Sequence, residues 1–143
     1  MKNILFYGAK SQCLIVYNIL KKKLFKKTFF PKYLQAIPKY SYDEFLIKPY
    51  FKSSLIFSNN RKDLKKFIKN SHFFVNCIGS HHGYARCEIS KILQDFSLEP
   101  LNIVSKSSLI DESVLLGKGN IIMNSATINL KSECLGADII IAA

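Results

Sequence analysis

The spacing of apolar residues at the start of the chain predicts a buried strand followed by an amphipathic helix. Residues 3–7, Asn-Ile-Leu-Phe-Tyr, form a short apolar run that ends at Gly8 and Ala9, which is typical of an internal strand of a parallel sheet. From Gln12 onward, apolar residues recur near the helical period, with lysines on the opposite face. These apolar residues are Leu14, Ile15, Tyr17, Leu20 and Leu24. The pattern predicts a strand, a tight turn and a helix.

The next stretch, residues 28–57, has no clear period, because prolines interrupt any long helix. The prolines are Pro31, Pro38 and Pro49. We predict short strands over residues 33–37 and 54–57.

The pattern becomes regular again after residue 57. Ser58-Asn59-Asn60 predicts a turn and a helix cap, followed by a short basic helix over Lys62–Lys69. The residues of this helix that we expect to face the core are Leu64, Phe67 and Ile68. Residues 72–78, His-Phe-Phe-Val-Asn-Cys-Ile, form the clearest strand of the chain. A loop over Gly79–Gly83, a helix over Tyr84–Phe96 and a strand over Leu101–Val104 follow.

Strands that alternate with helices predict an α/β fold with a parallel sheet and helices on its faces. Ligands of such sheets bind beyond the carboxyl ends of the strands, near the point where the strand order reverses. The loops Gly8–Gln12 and Gly79–Gly83 follow two predicted strands, so we expect both at that edge.

After Lys106 the apolar residues change to a strict six-residue period. The aliphatic residues at this spacing are Ile110, Leu116, Ile122 and Ile128, with Val114 and Ala126 two residues before the second and the fourth. A parallel β-helix produces this period, because each six-residue face directs one aliphatic side chain inward. The period shifts by one residue at Leu135-Gly136.

Apolar residues make up 48% of the chain, which allows a core of ordinary size. The charged residues are unevenly distributed between the two halves of the chain. Residues 1–70 hold 16 Lys and Arg against 3 Asp and Glu, whereas residues 71–143 hold 5 against 7. A basic half raises the hypothesis of nucleic-acid binding, but nearly all these cations are lysines, and recognition usually recruits arginine as well. A solvated helical face and a site for an anionic ligand remain as alternatives.

The sequence has no apolar run long enough to span a membrane, and its N-terminal segment is too short for a signal peptide. We therefore expect a cytoplasmic protein. The cysteines are Cys13, Cys77, Cys87 and Cys134. Their wide spacing within apolar segments predicts buried free thiols.

Three segments carry a resemblance to a known family: Tyr7-Gly8-Ala9, Cys77-Ile78-Gly79 through Arg86, and Leu116-Gly117-Lys118-Gly119. Together with their order along the chain, they resemble the bacterial sugar O-acyltransferases of the NeuD/PglD type, which contain hexapeptide repeats. The resemblance implies a small Rossmann-like domain over residues 1–105. Residues 106–143 would form the first, incomplete coils of a left-handed parallel β-helix.

The resemblance also implies a function in glycan or polysaccharide biosynthesis. The family transfers an acyl group from acetyl-CoA to a sialic acid or a nucleotide-linked amino sugar, and it assembles as a homotrimer. Its substrate-binding residues would correspond to Gly8, Ala9, Lys10, Ser11, Gly79, Ser80, His81 and Arg86. Lys10 and Ser11 would contact a phosphate, or their loop is a purely structural turn. The general base of the family is a histidine on the β-helix, and none follows His82. We therefore expect a C-terminally truncated chain without catalytic residues, its acetyl-CoA groove incomplete.

The pair His81-His82 allows two interpretations: it hydrogen-bonds a sugar or phosphate at the rim of a pocket, or it belongs to a polar loop that caps the next helix. A metal site is disfavoured, because no carboxylate or cysteine stands at ligand spacing. Three function classes remain: an acyltransferase, a non-catalytic nucleotide-sugar-binding module and, last, a basic nucleic-acid-binding protein.

Overall fold

A computed structural model describes residues 1–26, 35–129 and 139–142 of the chain. Within these residues, helices and parallel strands alternate. The helices are α1 (Ser11–Lys21), α2 (Arg61–Lys69) and α3 (Gly83–Asp95). The strands are β1 (Asn3–Tyr7), β2 (Ile37–Tyr42), β3 (Ile56–Ser58), β4 (Phe73–Asn76), β5 (Glu99–Pro100), β6 (Ile103–Val104), β7 (Leu109–Ile110), β8 (Ile121–Ile122), β9 (Thr127–Ile128) and β10 (Ile140–Ile141). The predicted α/β class with parallel strands is confirmed.

The first five strands form one parallel sheet in the order β3-β2-β1-β4-β5. Alternate residues of a strand face opposite sides of its sheet, and β1 follows this rule. Ile4 and Phe6 pack in the cluster that contains the apolar face of α1. Leu5 packs in the cluster that contains Phe67 of α2 and Leu93 of α3. The sheet is therefore covered by α1 on one face and by α2 and α3 on the other.

The helices lie close to their predicted positions. Asn60 caps α2 as expected, since its side chain accepts a hydrogen bond of 2.9 Å from the backbone N–H of Lys62. The prediction is wrong for Leu24, which the helical period assigns to the first helix. The helix ends at Lys21, and Lys23 adopts a left-handed backbone conformation with φ 55°, so Leu24 lies beyond the helix and is exposed.

The second strand differs from the prediction over residues 33–37. Residues 33 and 34 lie outside the described part of the chain, and β2 runs from Ile37 through Pro38 to Tyr42. Proline interrupts a strand ladder, but the pairing of β2 with β1 shifts by one residue directly after Pro38. The bulge accommodates the proline, so the strand continues to the edge of the sheet where ligands bind. The neighbouring strand, β3, lies near the predicted 54–57.

The strand predicted over Leu101–Val104 is shortened to β6, and β5, which precedes it at Glu99–Pro100, was not predicted. β5 pairs with β4 and completes the five-stranded sheet, whereas β6 pairs with β8 in a separate sheet. Leu101 lies between them and is fully buried. The chain therefore leaves the first sheet and enters the second within a few residues.

The last five strands form two further parallel sheets, one in the order β10-β8-β6 and one of β7 and β9. Ile103 pairs with Ile121 and Leu109 pairs with Thr127, so the residues of each pair are 18 positions apart, or three six-residue periods. β10 joins the first of these sheets, but Ile140 pairs with Ile121 at a separation of 19. This separation is one residue longer than the others. The shift predicted at Leu135-Gly136 lies outside the described residues. The aliphatic residues of the six-residue period pack in one cluster: Ile110, Leu116, Ile122 and Ile128.

The five-stranded sheet and the three-stranded sheet contribute side chains to one apolar core. Phe25, which follows α1, forms an antiparallel bridge with Ser105 and packs in the cluster that also contains Phe6, Ile103 and Ile121. The chain therefore buries residues of both sheets against each other. None of the described helices has the length and apolar character that a transmembrane segment requires.

Candidate binding site

A cavity of about 370 Å³ lies at the carboxyl edge of the five-stranded sheet. It is located where the strand order reverses, between β1 and β4, which is where sheets of this kind bind ligands. Its size falls in the range of small-molecule sites. The residues that line it are Tyr7, Gly8, Lys10, Ser11, Gln12, Tyr42, Asp43, Glu44, Phe45, Cys77, Ile78, Gly79, His82 and Ala85.

The floor of the cavity depends on the absence of a side chain at Gly8. This residue has φ +112°, and a Cβ placed on it would lie 2.8 Å from the carbonyl oxygen of Cys77. The backbone N–H of Gly8 donates to the carbonyl of Tyr42 over 2.7 Å, and its carbonyl accepts from the hydroxyl of Ser41 over 3.2 Å. Glycine therefore lets the ends of β1, β2 and β4 approach each other closely.

The first turn of α1 forms one wall of the cavity. Among the described residues no side chain caps this turn, since its N-cap residue, Lys10, makes no side-chain hydrogen bond to it. Backbone N–H groups of an uncapped first turn are available to an acceptor, and the helix dipole favours an anion there. Lys10 and Ser11 line the same wall. The wall therefore has the chemistry of an anion site.

The loop after β4 is held by a buried arginine. The guanidinium of Arg86 donates to the carbonyls of Asn76 over 2.9 Å and Ile78 over 2.5 Å, and Arg86 is 1% exposed. Asn76 in turn donates from its side chain to the carbonyl of Arg86 over 2.8 Å. Arg86 thus fixes the backbone that leads into Gly79.

The structure brings half of the predicted substrate-binding residues to the cavity. Gly8, Lys10, Ser11 and Gly79 line it. The lining residues do not include the other four, which are Ala9, Ser80, His81 and Arg86. Ala9 is buried, while Ser80 and His81 are exposed. The histidine that lines the cavity is the neighbouring His82.

Sequence reasoning missed the wall formed by the end of β2. Tyr42, Asp43, Glu44 and Phe45 all line the cavity. A carboxylate pair directly after an apolar strand is a recognisable signal, but the predicted strand ends at Ile37. Because the strand was predicted to end five residues before Tyr42, this wall of the cavity was not identified.

Burial shifts the pKa values of two side chains that line the cavity, Tyr7 and Cys77. Burial, followed by the nearby Tyr42, Glu44 and Asp43, raises the pKa of Tyr7 to about 12. Burial also raises the pKa of the Cys77 thiol well above its ordinary value. Tyr7 is thus a hydroxyl and Cys77 a thiol at neutral pH, which makes both unsuited to act as a base or nucleophile.

Charged groups are distributed unequally around the cavity. Lys10 lies on the α1 wall and Asp43 and Glu44 lie on the β2 wall. Glu44 is in turn 3.4 Å from the guanidinium of Arg61. The cavity therefore presents cationic chemistry on one side and carboxylates on the other. No group of three or more His, Cys, Asp or Glu suitable for a metal ion occurs among the residues described.

Known proteins resemble the chain in structure but not in sequence. No protein-family model and no curated protein matches it. One similar structure is a histidine-to-alanine mutant of GDP-perosamine N-acetyltransferase from Caulobacter crescentus in complex with CoA and GDP-perosamine. It has a TM-score of 0.70 and 14% identity, over 93% of this chain and 57% of that one.

A second is the acetyltransferase domain of PglB from Neisseria gonorrhoeae in complex with acetyl coenzyme A. It has a TM-score of 0.71 and 13% identity, over 97% of this chain and 60% of that one. The chain thus spans about three fifths of the length of these structures. CoA or acetyl-CoA is bound in both, as expected for acetyl-CoA as the donor in such enzymes. The chain shares its fold with sugar N-acetyltransferases.

Proposed function

We propose that the cavity binds a nucleotide-linked sugar. The observation that carries the proposal is the polarity of its walls: the uncapped first turn of α1 with Lys10 suits a diphosphate, and the Asp43-Glu44 wall suits hydroxyl or N–H groups. A nucleoside diphosphate sugar carries both kinds of group. The similar Caulobacter enzyme is in complex with GDP-perosamine, a ligand of this class, which supports the proposal.

We further propose that the chain derives from the NeuD/PglD-type acyltransferases, with a Rossmann-like domain over residues 1–105 and the first coils of a left-handed parallel β-helix over 106–143. The pairing of strands at 18-residue separation supports the β-helix, because three six-residue faces make one coil. Acetyl-CoA would be the acyl donor and a homotrimer the assembly, as the family resemblance implies.

Residues 1–143 would bind the acceptor without transferring the acyl group. They contain no histidine after His82, so the repeat segment among them carries no candidate for the family's general base. Cys77 and Tyr7 do not replace it, because burial holds both in their protonated forms. A nucleotide-sugar-binding module is therefore the function that these residues support.

The proposal is tested by calorimetric titration of the 143-residue chain with UDP- and GDP-linked amino sugars. We expect one binding site, and we expect Lys10→Ala to weaken binding roughly three- to tenfold, because it removes a cation beside the diphosphate. Lys22→Ala is the matched control, since Lys22 is exposed beyond the other end of α1. No heat with any of these sugars would refute the proposal.

Two further measurements separate the alternatives. Acetyl transfer from acetyl-CoA by the chain alone would contradict the binding-only function. The basic first half gives the nucleic-acid hypothesis its support, since 16 of its residues are Lys or Arg. Affinity for duplex DNA that falls steeply with salt, without affinity for nucleotide sugars, would favour that hypothesis instead.

A further inference from the structure

Two buried polar atoms of the cavity wall have no hydrogen-bond partner among the described residues. They are the side-chain nitrogen of Gln12 and the hydroxyl oxygen of Tyr42. Both residues line the cavity, and Tyr42 is 1% exposed. Gln12 lies in the first turn of α1 and Tyr42 is the last residue of β2, so the two atoms belong to different walls of the same site.

Within residues 1–26, 35–129 and 139–142, the fold does not use these two polar atoms. A buried donor without a partner costs free energy, and an apolar side chain of similar shape avoids that cost. The other polar groups nearby are satisfied: the hydroxyl of Ser41 donates to Gly8, and the backbone N–H of Gly8 donates to the carbonyl of Tyr42. We therefore expect a ligand in the cavity to provide the hydrogen-bond partners of both atoms.

The surroundings of Tyr42 indicate which ligand atom it contacts. Burial, then the charges of Glu44 and Asp43, raise the pKa of Tyr42, with Arg61 acting in the opposite direction. The hydroxyl thus keeps its proton and can donate it. Asp43 and Glu44 disfavour a phosphate beside Tyr42, although Arg61 offsets part of the charge of Glu44, so an uncharged oxygen suits this donor better.

We propose that Gln12 and Tyr42 donate hydrogen bonds to uncharged oxygen atoms of the bound nucleoside and thereby determine which nucleotide the cavity accepts. These oxygens belong to a carbonyl of the base or to the ribose. The inference rests on the proposed function, and it assigns to the side chain of Gln12 a role separate from that of the α1 backbone. A site with buried donors discriminates strongly against ligands that leave those donors unpaired.

The test measures the affinity of the full chain for UDP, GDP, ADP and inorganic pyrophosphate by calorimetry. We expect Tyr42→Phe and Gln12→Leu each to weaken nucleotide binding by about tenfold, with pyrophosphate affinity unchanged. If the oxygen is a base carbonyl, UDP or GDP is affected and ADP is not, because adenine has no carbonyl. If it is a ribose oxygen, all three nucleotides are affected equally.

A second measurement separates recognition from folding. Tyr42→Phe removes an unsatisfied buried hydroxyl, so the Tm of the ligand-free chain should stay the same or rise. Tyr40→Phe is the matched control, since Tyr40 lies on the same strand, stacks on Phe67 and does not line the cavity. We expect it to leave nucleotide affinity unchanged.

Four outcomes would overturn the inference. Unchanged nucleotide affinity in both cavity variants, or an equal loss of pyrophosphate affinity, would show that the donors do not contact the nucleoside. A lower Tm for ligand-free Tyr42→Phe would assign Tyr42 to the fold. A wild-type chain that binds none of the nucleotides would overturn the proposed function as well, whereas normal wild-type binding with unaffected variants would overturn this inference alone.

Discussion

At Gly8 the chain has no space for a side chain, and this single residue links three strand ends. Gly8→Ala would place a Cβ 2.8 Å from the carbonyl oxygen of Cys77 on a backbone with φ +112°. We expect the free energy of unfolding to fall by at least about 2 kcal/mol, together with nucleotide binding. Denaturant unfolding measures the first and calorimetry the second.

Gly79→Ala is the control for this prediction. Gly79 also lines the cavity, but a Cβ there would meet no atom within 4 Å. We expect its stability to stay within about 0.5 kcal/mol of the wild-type value. Equal stability losses in both variants would contradict the close approach at Gly8.

The family resemblance predicts that Arg86 is a substrate-binding residue, but its position favours a role in the loop after β4. Arg86→Leu would leave the carbonyls of Asn76 and Ile78 without their donor. We expect a loss of about 2–3 kcal/mol in the free energy of unfolding of the ligand-free chain. Arg61→Leu, whose side chain is 84% exposed, should change stability little. Unchanged stability in Arg86→Leu combined with weaker nucleotide binding would favour the anion-binding role.

At the level of single residues, the sequence was sufficient to predict cavity residues that directly follow a recognisable strand or precede a recognisable helix. Gly8 and Gly79 follow predicted strands, and Lys10 and Ser11 lie in the loop between a predicted strand and a predicted helix, so chain order alone brings them to the cavity. Tyr42 could be predicted as a cavity residue only if the end of β2 was known. The inward position of Arg86 was not predictable, because a charged residue one turn into a helix is usually exposed.

Among the elements, α2 has the clearest local determinant, its cap. Asn60→Ala would remove the acceptor for the backbone N–H of Lys62. We expect a loss of about 1 kcal/mol in the free energy of unfolding, measured by circular dichroism during denaturation. Asn59→Ala, one residue earlier and exposed, should have no comparable effect. Equal losses would mean that the turn as a whole, and not the cap, stabilises the helix.

The elements that sequence reasoning located well are those with an undisturbed period. β1, β4 and the three helices have apolar patterns that neither proline nor a change of sheet interrupts. β2 was misplaced because a proline is normally incompatible with a strand interior, and the one-residue bulge that accommodates Pro38 is not visible in the sequence. β5 was missed, and β6 was predicted too long, because the chain passes from one sheet to the other without a turn signal.

For the whole molecule, the shared core implies that the two sheets unfold together. Ile121 lies in the second sheet, is fully buried, and packs in the cluster that contains α1. Every tyrosine lies between residues 7 and 84, so the tyrosine signal reports on the first sheet. We expect Ile121→Ala to lower the stability reported by near-ultraviolet circular dichroism by about 3 kcal/mol.

Leu115→Ala serves as the comparison, because Leu115 is 64% exposed. It should shift the same transition by less than about 0.5 kcal/mol. A tyrosine transition that is unaffected by Ile121→Ala would mean that the two sheets unfold independently.

The 18-residue separation between paired strands makes the second sheet extensible. A second copy of residues 103–120, inserted after Asn120, would keep each strand aligned with its equivalent and add one layer, about 4.8 Å, to the stack. The 19-residue separation between Ile121 and Ile140 lacks this property, because repeating it would add one residue at each layer. Residues 103–120 are thus a modular building unit, whose number of copies could set the length of a designed stack in equal steps.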